Sequence, residues 1–130
     1  YKHWHSLLNH EGQLIVADVR EETSTGDFLN NFVDANNSMG HQGDFIKQRE
    51  FTNELTNIGF KVHYDRLVKV NWCFNNITQL GQFCQQLFGI DKANISSVID
   101  GVINTLGIVE TNNLVSMTWQ LQYAKATKIN

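Results

Sequence analysis

Residues 12–22 read GQLIVADVREE. Four apolar residues, Leu14 to Ala17, run into Asp18, and the chain then turns charged at Arg20, Glu21 and Glu22. This is the pattern of a buried strand that delivers polar groups to one edge of a sheet, the edge where α/β proteins hold their ligands. Only a dozen residues precede the run, too few for the strands and helices that would bury both of its faces. The stretch therefore predicts a sheet that continues before Tyr1, with this chain a fragment of a larger fold.

The flanking segments can be read outward from it. Tyr1 to Leu8 reads as the last turns of a helix with Trp4, Leu7 and Leu8 on one side, and Glu11-Gly12 as a turn into a strand over 13–18. Residues 23–43 are polar and punctuated by glycine, with one short amphipathic piece from Asp27 to Ala35. A helix is expected over 44–58, with Asp44 as its N-cap, Phe51, Leu55 and Ile58 on the buried stripe, and Gly59 just past its end. From Phe60 to Phe74 the even positions are apolar except Arg66. That alternation predicts a strand, with a bend or bulge near Asp65-Arg66 because the run exceeds the usual strand length. Asn76 with Gln79 three residues on predicts a capped helix carrying Ile77, Leu80, Cys84, Leu87 and Phe88. A second helix carries Ile95, Val98, Ile99, Val102, Ile103 and Leu106 and ends at Gly107. Val115, Met117, Trp119, Leu121 and Tyr123 alternate with polar residues and predict a final strand.

The length suits a single domain with one core. A net charge of −3 gives no electrostatic reason to expect a nucleic acid or an anionic membrane as partner. No stretch approaches the ~20 apolar residues of a membrane span. Cys73 and Cys84 lie in apolar surroundings, which reads as reduced thiols and a cytoplasmic protein. The three Asn-X-Ser/Thr triplets, at Asn36, Asn76 and Asn94, are treated as chance in an Asn-rich chain. His3 and His5 diverge on a helix, and no cysteine or carboxylate joins them and His10 at a convincing spacing, so no metal site is assigned.

Three segments carry a resemblance. WHSLLNHEGQLIVADV, residues 4–19, resembles the segment that enters the fifth strand of class I S-adenosylmethionine-dependent methyltransferases, with Glu11 standing where that family often has a first glycine. FTNELTNIGFKVHYDRLVKVNWCF, residues 51–74, is similar to the helix, turn and sixth strand of the same enzymes. VSMTWQLQYAKATK, residues 115–128, resembles their seventh strand. The resemblance covers nearly all of this chain but only the carboxy-terminal half of the family's fold.

It implies an α/β fold: a partial Rossmann-like methyltransferase fold whose mixed sheet has the local order 13–18, 115–124, 60–72, the middle strand antiparallel. Residues 75–113 are then a helical insertion over the ligand edge, serving either as a substrate cap or as plain cover for the sheet. The implied activity is methyl transfer from S-adenosylmethionine to a small-molecule acceptor. The cofactor site lies mostly outside this chain, since no Gly-rich loop follows a strand in it, so the chain is expected to be inactive alone. Residues 19–43 and 75–113 would select the acceptor. His41, on a Gly-flanked loop at the expected ligand edge, is a candidate to orient the acceptor or take its proton. Gln42 shares that loop, and Trp72 is a candidate pocket wall. The structural alternatives are a loop histidine that bonds backbone and a core tryptophan; no residue is assigned a catalytic role. The non-enzymatic alternative is a standalone α+β interaction or dimerisation module. As a fragment, the chain is expected to form a symmetric homodimer through the unpaired edge of strand 13–18.

Overall fold

The computed structural model describes residues 1–129. In chain order the elements are α1 (Lys2–Leu7), β1 (Gln13–Asp18), α2 (Ser24–Asp27), a π-helical stretch (Phe28–Val33), α3 (Asp34–Asn36), α4 (Gln48–Ile58), β2 (Phe60–Lys69), β3 (Trp72–Phe74), α5 (Ile77–Leu87), α6 (Ile95–Thr105), β4 (Ile108–Glu110), β5 (Val115–Met117) and β6 (Gln120–Lys128). They fall into two compact units. One comprises Tyr1–Glu21, Phe45–Val68 and the chain from Leu121 on; the other comprises Glu22–Asp44 and Lys69–Gln120.

The first unit is built on a sheet of order β1-β6-β2. β1 pairs antiparallel with β6, from Gln13 opposite Thr127 to Asp18 opposite Gln122. β2 also opposes β6: Gly59 C=O accepts from Ile129 N–H at 3.0 Å, and farther along β2 Asp65 meets Gln122. The last strand therefore lies in the middle and runs against both neighbours, as expected. Entry into β1 is a one-residue bulge. Glu11 N–H donates to Lys128 C=O and Lys128 N–H to Gly12 C=O, with Glu11 held at φ 61°. That is a left-handed conformation that glycine takes at no steric cost.

One face of this sheet carries the core. Ile46, Phe51, Leu55, Phe60, Ala124 and Ala126 are buried together, with Leu8, Leu14, Val16, Ile58 and Val62 packed against them. Each large side chain removed from water there contributes roughly 1.5–3 kcal/mol. Gly59, at φ 108°, closes α4 by donating to Leu55 and Thr56 carbonyls, as a left-handed C-cap does. Along β2, Phe60 and Val62 face this core, but the phase then reverses: Tyr64 is exposed and Asp65 turns toward the buried Gln122. An irregularity near Asp65 was expected from the length of the run.

The expected start of the helix at 44 is corrected. α4 begins at Gln48, and Lys47, not Asp44, is its N-cap. Ile46 instead forms a parallel bridge with Arg20, donating to Val19 C=O and accepting from Glu21 N–H. A backbone held in a sheet ladder cannot also start a helix.

In the second unit, residues 24–36 form a helical run opened by Thr23, whose Oγ1 accepts from Gly26 N–H at 3.2 Å. Only its middle was expected from the amphipathic pattern. α5 carries the cap read from sequence: Gln79 N–H donates to Asn76 Oδ1 at 2.9 Å while Gln79 Oε1 accepts from Asn75 N–H. Asn94 caps α6 through Ser97 N–H. α5 and α6 meet where Gly81 has no Cβ; one there would lie 2.7 Å from Ile99 Cγ1. Gly101 admits the Phe32 ring in the same way, since a Cβ there would overlap the ring.

The long alternating runs are corrected as well. The 60–72 strand ends at Lys69, and the 115–124 strand divides at Thr118-Trp119 into β5 and β6. The separated pieces β3 and β5 form a second antiparallel sheet, of order β3-β5-β4, with Trp72 opposite Met117 and Ile108 opposite the same Met117. Val70 N–H donates to Trp119 C=O at 2.7 Å where the two runs leave one sheet for the other.

Candidate functional site

The second unit brings together the two segments that the sequence marks for acceptor selection. Asn37 Nδ2 donates to Phe88 C=O at 2.8 Å, and Asn36 C=O accepts from the N–H groups of Asp91 and Lys92. Ser38 donates to Asp91 through both N–H and hydroxyl. Those two bonds hold the Asp91 carboxyl below its ordinary range, the hydroxyl contributing most.

The loop 37–43 leaves α3 and is organised by side chains of the preceding helical run. Asp34 Oδ1 accepts from His41 N–H at 2.6 Å, and Asp34 Oδ2 from Gln42 Nε2 at 2.7 Å. Asn30 spans Gly43, donating to its C=O and accepting from its N–H. Gly40, at φ 73°, makes the turn just before these anchors, and a Cβ there would lie 3.2 Å from Asp34 Oδ1. His41 is half-buried, with its Nδ1 shielded from solvent. One carboxylate thus fixes both loop candidates, His41 by its backbone and Gln42 by its side chain.

Trp72, the third candidate, sits in β3 within an aromatic array. Its ring stacks on Trp119 at 4.7 Å and meets Phe83 edge-on at 5.4 Å. Trp119 stacks in turn on Phe88, which meets Phe28 edge-on, and Phe28 stacks on Phe32. Trp72 is half-buried, whereas Trp119 is 5% exposed. The array is aromatic packing within this unit, buried at Trp119 and Phe28 and partly exposed at Trp72 and Phe83. The tryptophan at 119 was read from sequence only as part of a strand face.

Cys84 is buried beside Met117, its Sγ 3.6 Å from Sδ, and burial pushes its thiol up to about 12. Cys73 is exposed on β3, 3.2 Å from Ser116 Oγ. In the first unit, His5 meets Phe60 edge-on at 5.1 Å.

A polar chain in the first unit was not foreseen. Asp65 accepts from Thr52 Oγ1 and from Gln122 Nε2. Gln122 is fully buried and accepts from Arg20 at 3.4 Å, and Arg20 also donates to Gln48 at 3.0 Å. Gln122 lies in an alternating strand and Asp65 next to Arg66, so each reads locally as a surface residue. Only the phase reversal in β2 hinted otherwise. Gln48, Arg49, Thr52, Asn53 and Asp65 line a shallow polar cavity of about 570 Å³.

These residues do not fit a nucleoside-type cofactor. The glycines with left-handed φ are Gly40, Gly59, Gly89 and Gly107, and each follows a helix. Among the described residues none follows a strand and opens a helix, where a Gly-rich turn lets backbone approach such a ligand. The link from β1 to α2, residues 19–23, contains no glycine.

No family model and no curated protein matches this chain. Among solved structures it is similar to one described as "a putative methyltransferase" from Bacillus halodurans C-125. The TM-score is 0.61 at 14% identity, over 99% of this chain and 61% of that one. The chain therefore spans about three-fifths of the length of the structure it matches, and at this identity the likeness establishes a methyltransferase-like fold alone. No helix among the described residues is long and apolar enough to cross a membrane.

Proposed function

We propose that this chain is the acceptor-side half of a class I S-adenosylmethionine-dependent methyltransferase that acts on a small molecule, and that it is inactive alone. The observation that carries the reading is the placement of the last strand. β6 lies between β1 and β2 and runs against both, the arrangement that the resemblance of the three sequence segments implies. The fold likeness supports it.

In this reading the second unit selects the acceptor. Loop 37–43 offers His41 and Gln42 on a frame set by Asp34, and the half-buried Trp72 ring, backed by Trp119, offers apolar surface. Methyl transfer from a sulfonium disperses positive charge at the transition state, so a dry site that fixes the acceptor's orientation favours it. The cofactor is assigned to residues outside this stretch, because those within it lack the cradle.

Calorimetric titration of S-adenosylmethionine tests the assignment. This chain alone gives no heat of binding, whereas the polypeptide extended through the preceding reading frame binds and methylates an acceptor from a small-molecule panel. Binding by neither defeats the proposal. In the extended enzyme Gln42→Ala raises the acceptor KM and leaves cofactor affinity unchanged.

A further inference from the structure

The shallow polar cavity of about 570 Å³ between α4 and β2 is lined by Gln48, Arg49, Thr52, Asn53 and Asp65. It lies on the β2 side of the sheet, with β6 between that strand and β1, away from the edge where the resemblance places the preceding strands. Its wall carries one cation and one anion that do not neutralise each other. Among the described residues neither Arg49 nor Asp65 belongs to an ion pair, and the Arg49 side chain bonds to no other group. A charge held away from water is costly unless it is paired. Yet half-buried Asp65 has only the neutral donors Thr52 and Gln122. We propose that this cavity binds a free α-amino acid, its ammonium on Asp65 and its carboxylate on Arg49.

The wall's own bonds preset it for such a ligand. An ionised carboxylate has about four acceptor positions, and Thr52 and Gln122 take one on each Asp65 oxygen, which leaves about two for an ammonium. Gln48 gives its Oε1 to Arg20 at 3.0 Å, so the end left for a ligand is the Nε2 donor. Arg49 and Asn53 stand one turn apart on α4. The planar guanidinium takes a carboxylate by two parallel bonds, and the Asn53 amide adds a donor beside it. This carboxylate falls at the first turn of α4, where the helix dipole favours negative charge. Thr52, which bonds Asp65, is three residues beyond Arg49, a spacing that sets Cβ atoms about 5–6 Å apart. One compact molecule therefore spans both charges. A purely anionic or purely cationic molecule satisfies one charge and leaves the other unpaired.

This inference rests on the first unit alone and not on the methyl-transfer reading. Titration of the nitrogen-15-labelled whole chain with L-alanine tests it, followed by the side-chain amide signals of Gln48 and Asn53 and the Nε–H signal of Arg49. Those signals move together to saturation, with a dissociation constant on the order of millimolar, as a few partly exposed charged contacts allow. Propionate and ethylammonium, which each keep one of the two charges, bind roughly tenfold more weakly or worse. Arg49→Gln weakens L-alanine by a similar factor and leaves the melting temperature unchanged, because that side chain is exposed and bonds to nothing in the chain. In Asp65→Asn, which keeps the shape and removes the charge, L-alanine binds no better than propionate. No saturable shift with L-alanine, equally tight binding of propionate or ethylammonium, or an Arg49→Gln chain that binds as the wild type does each overturns the proposal.

Discussion

Glu11 occupies the bulge at φ 61°, the position at which the methyltransferase resemblance carries a glycine. The side chain is exposed, so Glu11→Gly removes no packing and changes only the backbone's preferences. A left-handed conformation costs an L-residue roughly 1–2 kcal/mol. Glycine gives back about 0.5–1 kcal/mol of that through the greater entropy of its unfolded chain. The balance is a stabilisation of about 0.5–1 kcal/mol. Urea unfolding, followed by the fluorescence of Trp4 in a Trp72→Phe/Trp119→Phe background, measures it as a rise in midpoint at constant slope. The paired control is Gly12→Ala, whose Cβ would meet Asn9 O at 2.8 Å and Leu8 Cβ at 3.1 Å; it lowers the midpoint. A Glu11→Gly variant that is neutral or less stable would refute the claim that this bulge stores strain.

The buried polar chain predicts that Gln122→Leu costs about 1–2 kcal/mol. It removes a bond to the Asp65 carboxylate that is worth roughly 1.5–3 kcal/mol, offset by burial of an apolar group. Asp65→Asn made first should shrink that cost, and a double-mutant cycle with no coupling argues against the network. Native thiol titration should count one fast cysteine, Cys73, with Cys84 reacting only on unfolding, because burial holds its thiol near 12. Two fast thiols contradict the burial. The Asp91 carboxyl is lowered in the folded state by Ser38. Its stabilisation is therefore present above the ordinary carboxylate range and lost as pH falls through the lowered value. Ser38→Ala should flatten the acid limb of a stability–pH curve and leave an alkaline limb unchanged. Gly101→Ala should lose about 1–3 kcal/mol by driving a methyl into Phe32, and Phe32→Leu should recover part of it, both measured by thermal melts.

The sequence by itself determined the elements whose signals are local. β1 spans Gln13–Asp18, as read, because an apolar run bounded by Gly12 and the charges after Asp18 leaves little choice. The Asn76 cap, the stripes of α5 and α6 and the Gly59 stop were legible because capping and helical periodicity act within four residues. The central, antiparallel placement of the last strand came from resemblance, since no local pattern names a strand's neighbour. The anchoring of His41 and Gln42 by Asp34 was not legible, because it joins a helical residue to a loop seven and eight positions on.

Only the tertiary structure decided which sheet each alternating residue joins. The period of two is the same in β2 and β3, and in β5 and β6, so the breaks at 70–71 and 118–119 leave no mark on it. Ile46 abandons a helical pattern for a bridge to Arg20, and Asp65 turns inward to a glutamine 57 positions away. Each outcome follows from which backbone groups find partners across the fold. A linear pattern encodes the shape of a segment, and pairing through space settles what it is paired to.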